Sequence, residues 1–262
     1  MDNRAIGVFD SGLGGLTAVS ALRRILPNEN IIYLADTKNV PYGDKSRNEL
    51  VALAESDVNF LLSKGVKLIL IACGTVSSTL TQEQMQKYGV RVVGVIAPAA
   101  EAAVDKSKNR KIGVIATAAS IKSGAYKKKM LEIEQSLEIC AVACPKLVPL
   151  VESGKTEGEQ VREALCEYLE PLKEAGVDTL VLGCTHYPLL KKEIGALLPE
   201  ATLIDVGERA ASEVKDYLIE QDMLSQSGGE VTLFASGDCE DFKEKASRFL
   251  GYSIEKVYKA EK

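Results

Sequence analysis

Two cysteines stand out because each one ends a short apolar run and is followed by small or hydroxyl-bearing residues. They lie in Ala72-Cys73-Gly74-Thr75 and in Gly183-Cys184-Thr185-His186. A free thiol has a pKa of about 8.5, so modest electrostatic support makes it an acid or base that works near neutral pH. Either thiol is therefore a candidate base for a proton transfer. The ordinary alternative for either cysteine is an inert place in the core.

The sequence contains one histidine, His186, and it lies two residues after Cys184. A single histidine excludes sites that need a histidine pair, so proton transfer near neutral pH depends largely on other groups. Glu152 is a further candidate to support a proton transfer, with an ordinary exposed carboxylate as the alternative. A Cys184–His186 pair would also suit nucleophilic acyl transfer, in which the imidazole activates the sulfur.

A glycine-rich turn follows the first apolar run, with the sequence Asp10-Ser11-Gly12-Leu13-Gly14-Gly15-Leu16-Thr17. Its backbone N–H groups could approach an anion at the start of the following helix. The turn matches neither the dinucleotide-binding glycine pattern nor the P-loop pattern, so neither kind of nucleotide is expected. Val40-Pro41-Tyr42-Gly43 is a Pro/Gly turn after another strand-like run, and it is expected at the same edge of the sheet.

Composition limits the class of protein. The chain has 262 residues and a net charge of −5, with 46% hydrophobic and 26% charged residues. These values are ordinary for a globular protein of about two domains, and the acidic balance argues against direct nucleic-acid or membrane partners. No apolar run approaches the length of about 18 residues that spans a membrane, and the first residues do not resemble a signal peptide. The six cysteines are too sparse for a disulfide scaffold, so we expect reduced thiols, a cytoplasmic location and no zinc cluster.

Short apolar, β-branched runs alternate with segments of helical spacing along most of the chain. The predicted strands are 6–9, 31–35, 68–72, 92–96, 112–115, 137–143, 180–182 and 202–204. The predicted helices are 17–26, 47–64, 78–88, 125–135, 158–175 and 189–197. The strand runs are almost continuously apolar, which is typical of parallel sheets covered by helices on both faces. We therefore predict an α/β fold with a mainly parallel sheet.

The chain also resembles itself at a nearly constant offset. Residues 6–12 resemble 112–118, residues 40–42 stand opposite 148–150, and residues 65–73 match 176–184, at offsets of 106, 108 and 111. Three matches in the same order predict two similar domains that meet near residues 97 and 98. In open α/β sheets ligands bind outside the carboxyl ends of the strands. The repeat therefore predicts that Cys73 and Cys184 approach one cleft from opposite sides.

Taken together, these motifs resemble the cofactor-independent glutamate racemases of the aspartate/glutamate racemase superfamily over nearly the whole chain. The resemblance rests on residues 6–15, 33–36, 40–43, 72–75, 148–150, 183–188 and 235–238. It implies two pseudosymmetric Rossmann-like, flavodoxin-like domains with mainly parallel sheets and an active-site cleft between them. It also implies that the C-terminal segment returns to the first domain, which gives domains of 1–97 plus 208–262 and of 98–207.

The resemblance implies a mechanism in which two thiols act at Cα. Cys73 would take the proton from D-glutamate and Cys184 from L-glutamate, with Asp10 assisting the first and Glu152 and His186 the second. The residues implied to bind the substrate are Asp10, Ser11, Pro41, Tyr42, Gly43, Gly74, Thr75, Thr117, Thr185 and His186. No pyridoxal phosphate, other cofactor or metal is implied. We expect a homodimer that supplies D-glutamate for peptidoglycan.

Two positions depart from the family. Its members usually read Ala-Cys-Asn-Thr, with the asparagine on the substrate, whereas this chain has Gly74. A lost hydrogen bond typically costs about 0.5–1.5 kcal/mol, so Gly74 leaves affinity and substrate choice open. Ser120 replaces a threonine, a milder change because the hydroxyl remains. The alternatives are a racemase for another amino acid such as aspartate, a Cys184–His186 acyl-transfer enzyme, and a non-catalytic amino-acid-binding or regulatory protein.

Overall fold

Ten strands form two parallel sheets within residues 1–226 and 228–262, which are the residues that the computed structural model describes. The first sheet contains β1 (Ile6–Asp10), β2 (Ile31–Ala35), β3 (Leu68–Ile71), β4 (Arg91–Gly94), β9 (Val231–Ala235) and β10 (Val257–Lys259). The second contains β5 (Lys111–Ala116), β6 (Glu138–Ala143), β7 (Thr179–Leu182) and β8 (Thr202–Asp205). Their pairings are parallel, as continuously apolar strands predict.

Twelve α-helices connect the strands in the described part of the chain. They are α1 (Leu16–Ile25), α2 (Arg47–Ser63), α3 (Gly74–Ser77), α4 (Gln82–Gln86), α5 (Ile96–Lys106), α6 (Ala118–Ser123), α7 (Ala125–Ile133), α8 (Leu147–Glu152), α9 (Glu159–Ala175), α10 (Lys191–Leu197), α11 (Val206–Glu220) and α12 (Cys239–Leu250). Short 3₁₀ turns cover Thr37–Asn39, Tyr42–Asp44 and Tyr187–Leu190. Among the helices described, none combines the length and the apolar character needed to cross a membrane.

Four strands of the first sheet follow the same order as the four strands of the second. The full order of each sheet shows the correspondence. It is β10-β9-β2-β1-β3-β4 in the first sheet and β6-β5-β7-β8 in the second, so β1 to β4 correspond to β5 to β8. Ile6 pairs with Leu68 and Ile112 pairs with Thr179, and these are the residues that the sequence repeat relates. The order 2-1-3-4 is that of flavodoxin-like sheets. The predicted fold class, α/β with two pseudosymmetric and mainly parallel sheets, is confirmed.

Helices α1, α5 and α11 lie between the two sheets. Helix α11 packs on both α1 and α5, and α5 also contacts β7 and β8. One apolar cluster runs through this layer and includes Ile6 and Val8 of β1 together with Ile112 and Val114 of β5. Two further clusters lie on the outer faces, under α2 and under α9. The domain bounds expected after residues 97 and 207 fall in the first turns of α5 and α11, and they stay a prediction.

Several elements differ from those expected from the sequence. Of the helix expected over 78–88 only α4, Gln82–Gln86, is observed, because α3 already ends at Ser77 and Thr81 caps a separate helix. The strand expected over 92–96 ends at Gly94, because Ile96 begins α5. Pro98 lies in the first turn of α5, where proline is tolerated. Strands β9 and β10, which the strand pattern did not predict, join the first sheet beside β2.

Candidate active site

Cys73 lies just beyond β3 and is buried against the loop that follows β1. Its Sγ is 3.9 Å from the Oγ of Ser11. The Asp10 carboxylate is buried close by and accepts a hydrogen bond of 3.0 Å from the Gly12 N–H. Burial, together with the negative charge of Asp10, raises the pKa of Cys73 to about 12. Cys73 therefore carries its proton at neutral pH.

Helix α3 begins immediately after Cys73, not at Ser78 as the sequence suggested. The backbone N–H of Val76 consequently hydrogen-bonds the sulfur and partly offsets the rise in its pKa. On the other sheet, Pro188 lies inside the 3₁₀ turn Tyr187–Leu190 and does not begin an α-helix. The support that a helix N-terminus gives to a thiolate is thus present on the Cys73 side.

Cys184 occupies the corresponding place beyond β7 and begins a chain of polar contacts. Its Sγ is 3.6 Å from Nδ1 of His186, and Nε2 of His186 is 3.1 Å from Oε1 of Glu152. Cys184 and His186 are buried, whereas 46% of the Glu152 side chain is exposed. This arrangement connects a buried sulfur to solvent through one imidazole and one carboxylate.

The imidazole of His186, in the middle of these contacts, is protonated at neutral pH. Burial favours the neutral form of His186, but its hydrogen bonds to Cys184 and Glu152 outweigh burial and raise its pKa to about 10. The same contact with His186 lowers the pKa of Glu152. At neutral pH the ring is protonated, so it can donate to the sulfur and to the carboxylate at the same time.

Hydroxyl groups join the strand-end loops of the two sheets. The Oγ1 atoms of Thr75 and Thr117 are 3.2 Å apart, and the Thr17 hydroxyl donates to the Thr185 carbonyl at 3.0 Å. Thr117 also donates to the Ser120 hydroxyl at 3.0 Å, so serine retains the contact at this position. Gly74, the residue after Cys73, also lies close to the carbonyl oxygen of Gly183, the residue before Cys184, so the two strand ends meet here.

Glycines allow the loops to approach closely. A Cβ atom at Gly74 would lie 2.6 Å from the carbonyl oxygen of Gly183, and one at Gly14 would lie 2.2 Å from Thr185 Oγ1. Real Cβ contacts are essentially never this short. The space that an asparagine side chain would need at position 74 is therefore taken by the backbone before Cys184.

The turn at 40–43 runs into the short 3₁₀ helix Tyr42–Asp44. The Tyr42 side chain is buried, and its hydroxyl donates to Asp36 at 2.6 Å. Pro41 and Gly43 are exposed. A substrate-binding role for Pro41, Tyr42 and Gly43 stays a prediction.

Three aromatic residues near the thiols were not identified as site residues from the sequence. The Tyr126 hydroxyl donates to the Gly183 carbonyl at 3.4 Å, and burial together with the charges of Cys184 and Cys73 raises the pKa of Tyr126. The Tyr33 hydroxyl donates to the Gly12 carbonyl at 2.6 Å. The Phe249 ring meets the His186 ring edge to face, with centroids 6.2 Å apart. Tyr33 lies in one of the recognised segments, but no spacing or motif indicates Tyr126 or Phe249.

A groove of about 940 Å³ lies elsewhere, between β4 and helices α6 and α7, and neither thiol lines it. The thiol cleft is instead nearly closed, since Cys73 and Cys184 are both buried. Within residues 1–226 and 228–262, no group of three or more His, Cys, Asp or Glu side chains could hold a metal ion. The reacting groups that the cleft does offer are two thiols, two carboxylates and one imidazole.

Comparison with known proteins places this geometry among amino-acid racemases. The family model described as Asp/Glu/Hydantoin racemase matches residues 18–214. A glutamate racemase from Carboxydothermus hydrogenoformans is 42% identical over 254 residues, which cover 97% of this chain and 95% of that protein. A glutamate racemase isoform from Bacillus anthracis has a similar structure, with a TM-score of 0.94, 35% identity and coverage of 100% and 98%. The structure of a glutamate racemase from Francisella tularensis in complex with D-glutamate has a TM-score of 0.92, 33% identity and coverage of 100% and 98%.

Proposed function

The chain belongs to the Asp/Glu/hydantoin racemase family, and from this membership we propose that it is an isomerase that interconverts L- and D-glutamate. Relatives named glutamate racemase cover nearly its whole length. The observation that carries the proposal is the pair of buried cysteines at corresponding strand ends, Cys73 after β3 and Cys184 after β7. A reaction that inverts one carbon needs an acid and a base on opposite faces of it, and such a pair provides both.

The two thiols exchange roles with the direction of the reaction. From L-glutamate, the Cys184 sulfur takes the Cα proton, and the Cys73 thiol donates its proton to the opposite face. From D-glutamate, Cys73 is the base and Cys184 the acid. One proton leaves Cα and one arrives, and the negative charge moves from one sulfur to the other. The transfer therefore balances without an oxidant, a reductant or a cofactor.

Charged neighbours set the starting state of each thiol. The Asp10 carboxylate helps to keep the proton on Cys73, so this side is ready to protonate a carbanion. His186 carries a proton beside Cys184, and Glu152 fixes the ring by accepting from Nε2. In this scheme Asp10, His186 and Glu152 control the protons, and the sulfurs alone act on Cα.

The strand-end loops bind the substrate. The hydroxyls of Ser11, Thr75, Thr117 and Thr185 and the backbone at Pro41, Tyr42, Gly43 and Gly74 surround the cleft in our proposal. Hydrogen-bond donors fixed around a carboxylate stabilise the negative charge that develops on the carbanion. Fixed donors of this kind usually supply the largest single contribution to catalysis.

The proposal is tested by solvent exchange at Cα. L- and D-glutamate are incubated with the protein in deuterium oxide, loss of the Cα proton is followed by NMR, and inversion is followed by circular dichroism. Cys73→Ser and Cys184→Ser should each reduce inversion by a factor on the order of 10² to 10⁴, the usual contribution of a positioned acid or base. Because the equilibrium constant of a racemisation is one, kcat/KM must fall by the same factor from both enantiomers.

The matched control is Cys166→Ser, which changes an exposed cysteine and should leave inversion at the wild-type rate. Undiminished inversion in both catalytic variants would overturn the two-thiol mechanism. Binding of glutamate without any Cα exchange would indicate a non-catalytic binding protein. A covalent thioester on Cys184 with a dispensable Cys73 would indicate acyl transfer.

Gly74 is the observation that keeps aspartate as a second substrate to compare. The asparagine usual in the family is missing, and the Gly183 carbonyl oxygen occupies the space that an asparagine side chain would need. We expect kcat/KM to be higher for glutamate, because the relatives named glutamate racemase match nearly the whole chain. A strong preference for aspartate would overturn the choice of substrate.

For its biological setting we propose a homodimer in the cytoplasm that supplies D-glutamate for peptidoglycan. The acidic balance of the chain supports small-molecule partners over nucleic acid or an anionic membrane. Sedimentation velocity of the purified protein decides the oligomeric state, and a purely monomeric species at micromolar concentration would rule out the dimer.

A further inference from the structure

A buried charge cluster lies behind the turn at 40–43 and outside the proton-transfer machinery. Asp36 and Asp57 are completely buried, and the Lys262 ammonium, whose side chain is 10% exposed, contacts both of them. Its Nζ is 2.6 Å from Oδ1 of Asp36, and it also pairs with Oδ1 of Asp57. Three charges that come from the end of β2, the middle of α2 and residue 262 are thus enclosed together.

Two buried carboxylates need the cation. Burial favours their neutral forms, but hydrogen bonds from Lys262, Ser236 and Tyr42 outweigh it and lower the pKa of Asp36. At Asp57, burial outweighs the attraction of Lys262 and raises the pKa to about 7. Removing one partner of a buried ion pair leaves an uncompensated charge, which is far more costly than the loss of an exposed pair.

The cluster determines the position of the turn. The Tyr42 hydroxyl donates to Asp36 Oδ2 at 2.6 Å and lies 3.2 Å from Asp57 Oδ2. The Asn39 amide, just before the turn, also donates to Asp36 Oδ2 at 2.9 Å. The backbone N–H of Asp36 donates to the Asp10 carbonyl at 3.0 Å, which connects the cluster to the strand end beside Cys73.

We propose that Lys262 is a positioning residue for the substrate: by holding Asp36 and Asp57, it fixes Tyr42 and thereby places the backbone at 40–43 for substrate binding. The inference rests on the proposed glutamate racemase function and adds to it a residue that is distant in sequence from the recognised motifs. The ion pairs of Lys262 are with Asp36 and Asp57, so its influence on the reaction passes through these two carboxylates and the turn that they hold.

This role differs from a purely structural one in its kinetic consequence. If the cluster only held the last strand to the sheet, its loss would lower stability and leave KM unchanged in the folded fraction. A displaced turn weakens substrate binding while the thiols stay in place, so KM rises and kcat changes little. A displacement of about 1 Å in a positioning group can cost on the order of a hundredfold in rate. A smaller displacement of the turn should therefore still change KM by about tenfold, which steady-state kinetics can measure.

The test compares Lys262→Met with Lys256→Met in full-length protein. Lys256 is an exposed lysine near the same end of the chain, over the Tyr258 ring, and serves as the matched control. We expect Lys262→Met to raise KM for both enantiomers about tenfold with nearly unchanged kcat. Lys256→Met should have the wild-type KM, and Lys262→Arg, which keeps the charge, should restore most of the lost affinity.

A double variant keeps the test decisive if Lys262→Met does not fold. Lys262→Met with Asp57→Asn removes opposite charges together, so it should fold and bring KM back to within about threefold of the wild type. An unchanged KM in folded Lys262→Met, or a double variant that fails to fold or keeps the raised KM, would overturn the inference. Absence of inversion in the wild-type protein would instead overturn the proposed function.

Discussion

The two cysteines have similar positions and different surroundings. Cys73 lies beside a carboxylate, and burial with the charge of Asp10 raises its pKa to about 12. Cys184 lies beside His186, a ring that is protonated at neutral pH. The fold thus repeats the thiol but not its partner. The free enzyme consequently holds one proton on a sulfur and another on an imidazole.

Gly74 provides the first prediction at the scale of residues. A Cβ at this position would lie 2.6 Å from the Gly183 carbonyl oxygen, and backbone on both sides limits adjustment. We expect Gly74→Ala, and more strongly Gly74→Asn, to separate the two loops and lower kcat/KM for glutamate by about ten- to a hundredfold. Steady-state kinetics from both enantiomers measures the effect.

The control for Gly74 is Gly195→Ala in α10, where the nearest atom to a new Cβ is an ordinary contact at 4.0 Å. This variant should keep its activity, because alanine is favoured over glycine inside a helix. If Gly74→Asn equals or exceeds the wild type, then the close approach to Gly183 does not belong to the working enzyme, and the asparagine usual in the family can be accommodated.

His186 provides a prediction about pH. Its pKa is 6.5 in an unfolded chain and about 10 in the folded protein. A raised pKa contributes stability that is fully present below pH 6.5 and is lost as pH rises through 10. The destabilisation caused by His186→Asn should therefore be largest near pH 6 and shrink steadily toward pH 10 in urea unfolding. A destabilisation independent of pH would contradict a protonated His186 in the folded state.

Some of the candidate site could be found from residue types and spacing alone. The repeat relates Cys73 to Cys184 because both follow strands with the same apolar pattern. The structure agrees with this relation, since β1 pairs with β3 in the same register as β5 pairs with β7. Tyr126 could not be found, because its contact with Gly183 joins segments that carry no shared motif. The contact of Lys262 with Asp36 escapes prediction for the same reason, since nothing local marks a lysine that pairs across the fold.

At the scale of elements, strands were easier to predict than short helices. Strand β2 has the predicted bounds, because Ile31–Ala35 is a continuous β-branched and apolar run with turns on both sides. The four-residue helix α3 is too short to show helical periodicity. Strand β9 is interrupted by Thr232, and the edge strand β10 has only three residues, two of them exposed, so neither shows the long, continuously apolar run that is typical of a buried parallel strand.

At the scale of the whole molecule, the loops of the two sheets interlock around the thiols. Thr17 donates to the Thr185 carbonyl, and Thr75 bonds to Thr117, so each sheet contributes one partner to each contact. Tight contacts of this kind are made where neither side has a bulky side chain, as at Gly14. The close approach of the two sheets at the cleft therefore depends on a few positions without a side chain. Adding one methyl group at such a position tests whether the approach is needed.

Gly14→Ala is the prediction at this scale. The added Cβ would lie 2.2 Å from Thr185 Oγ1 and 2.6 Å from Nδ1 of His186, whose ring is already held between Cys184 and Glu152. Because the ring has no free direction to move, the loop after β1 must withdraw and open the cleft. Hydrogen exchange should become faster at the amides of 183–187 in Gly14→Ala and stay unchanged in Gly195→Ala, since exchange reports local opening. Unaltered protection together with wild-type inversion would mean that the loops adjust locally and that closure does not depend on Gly14.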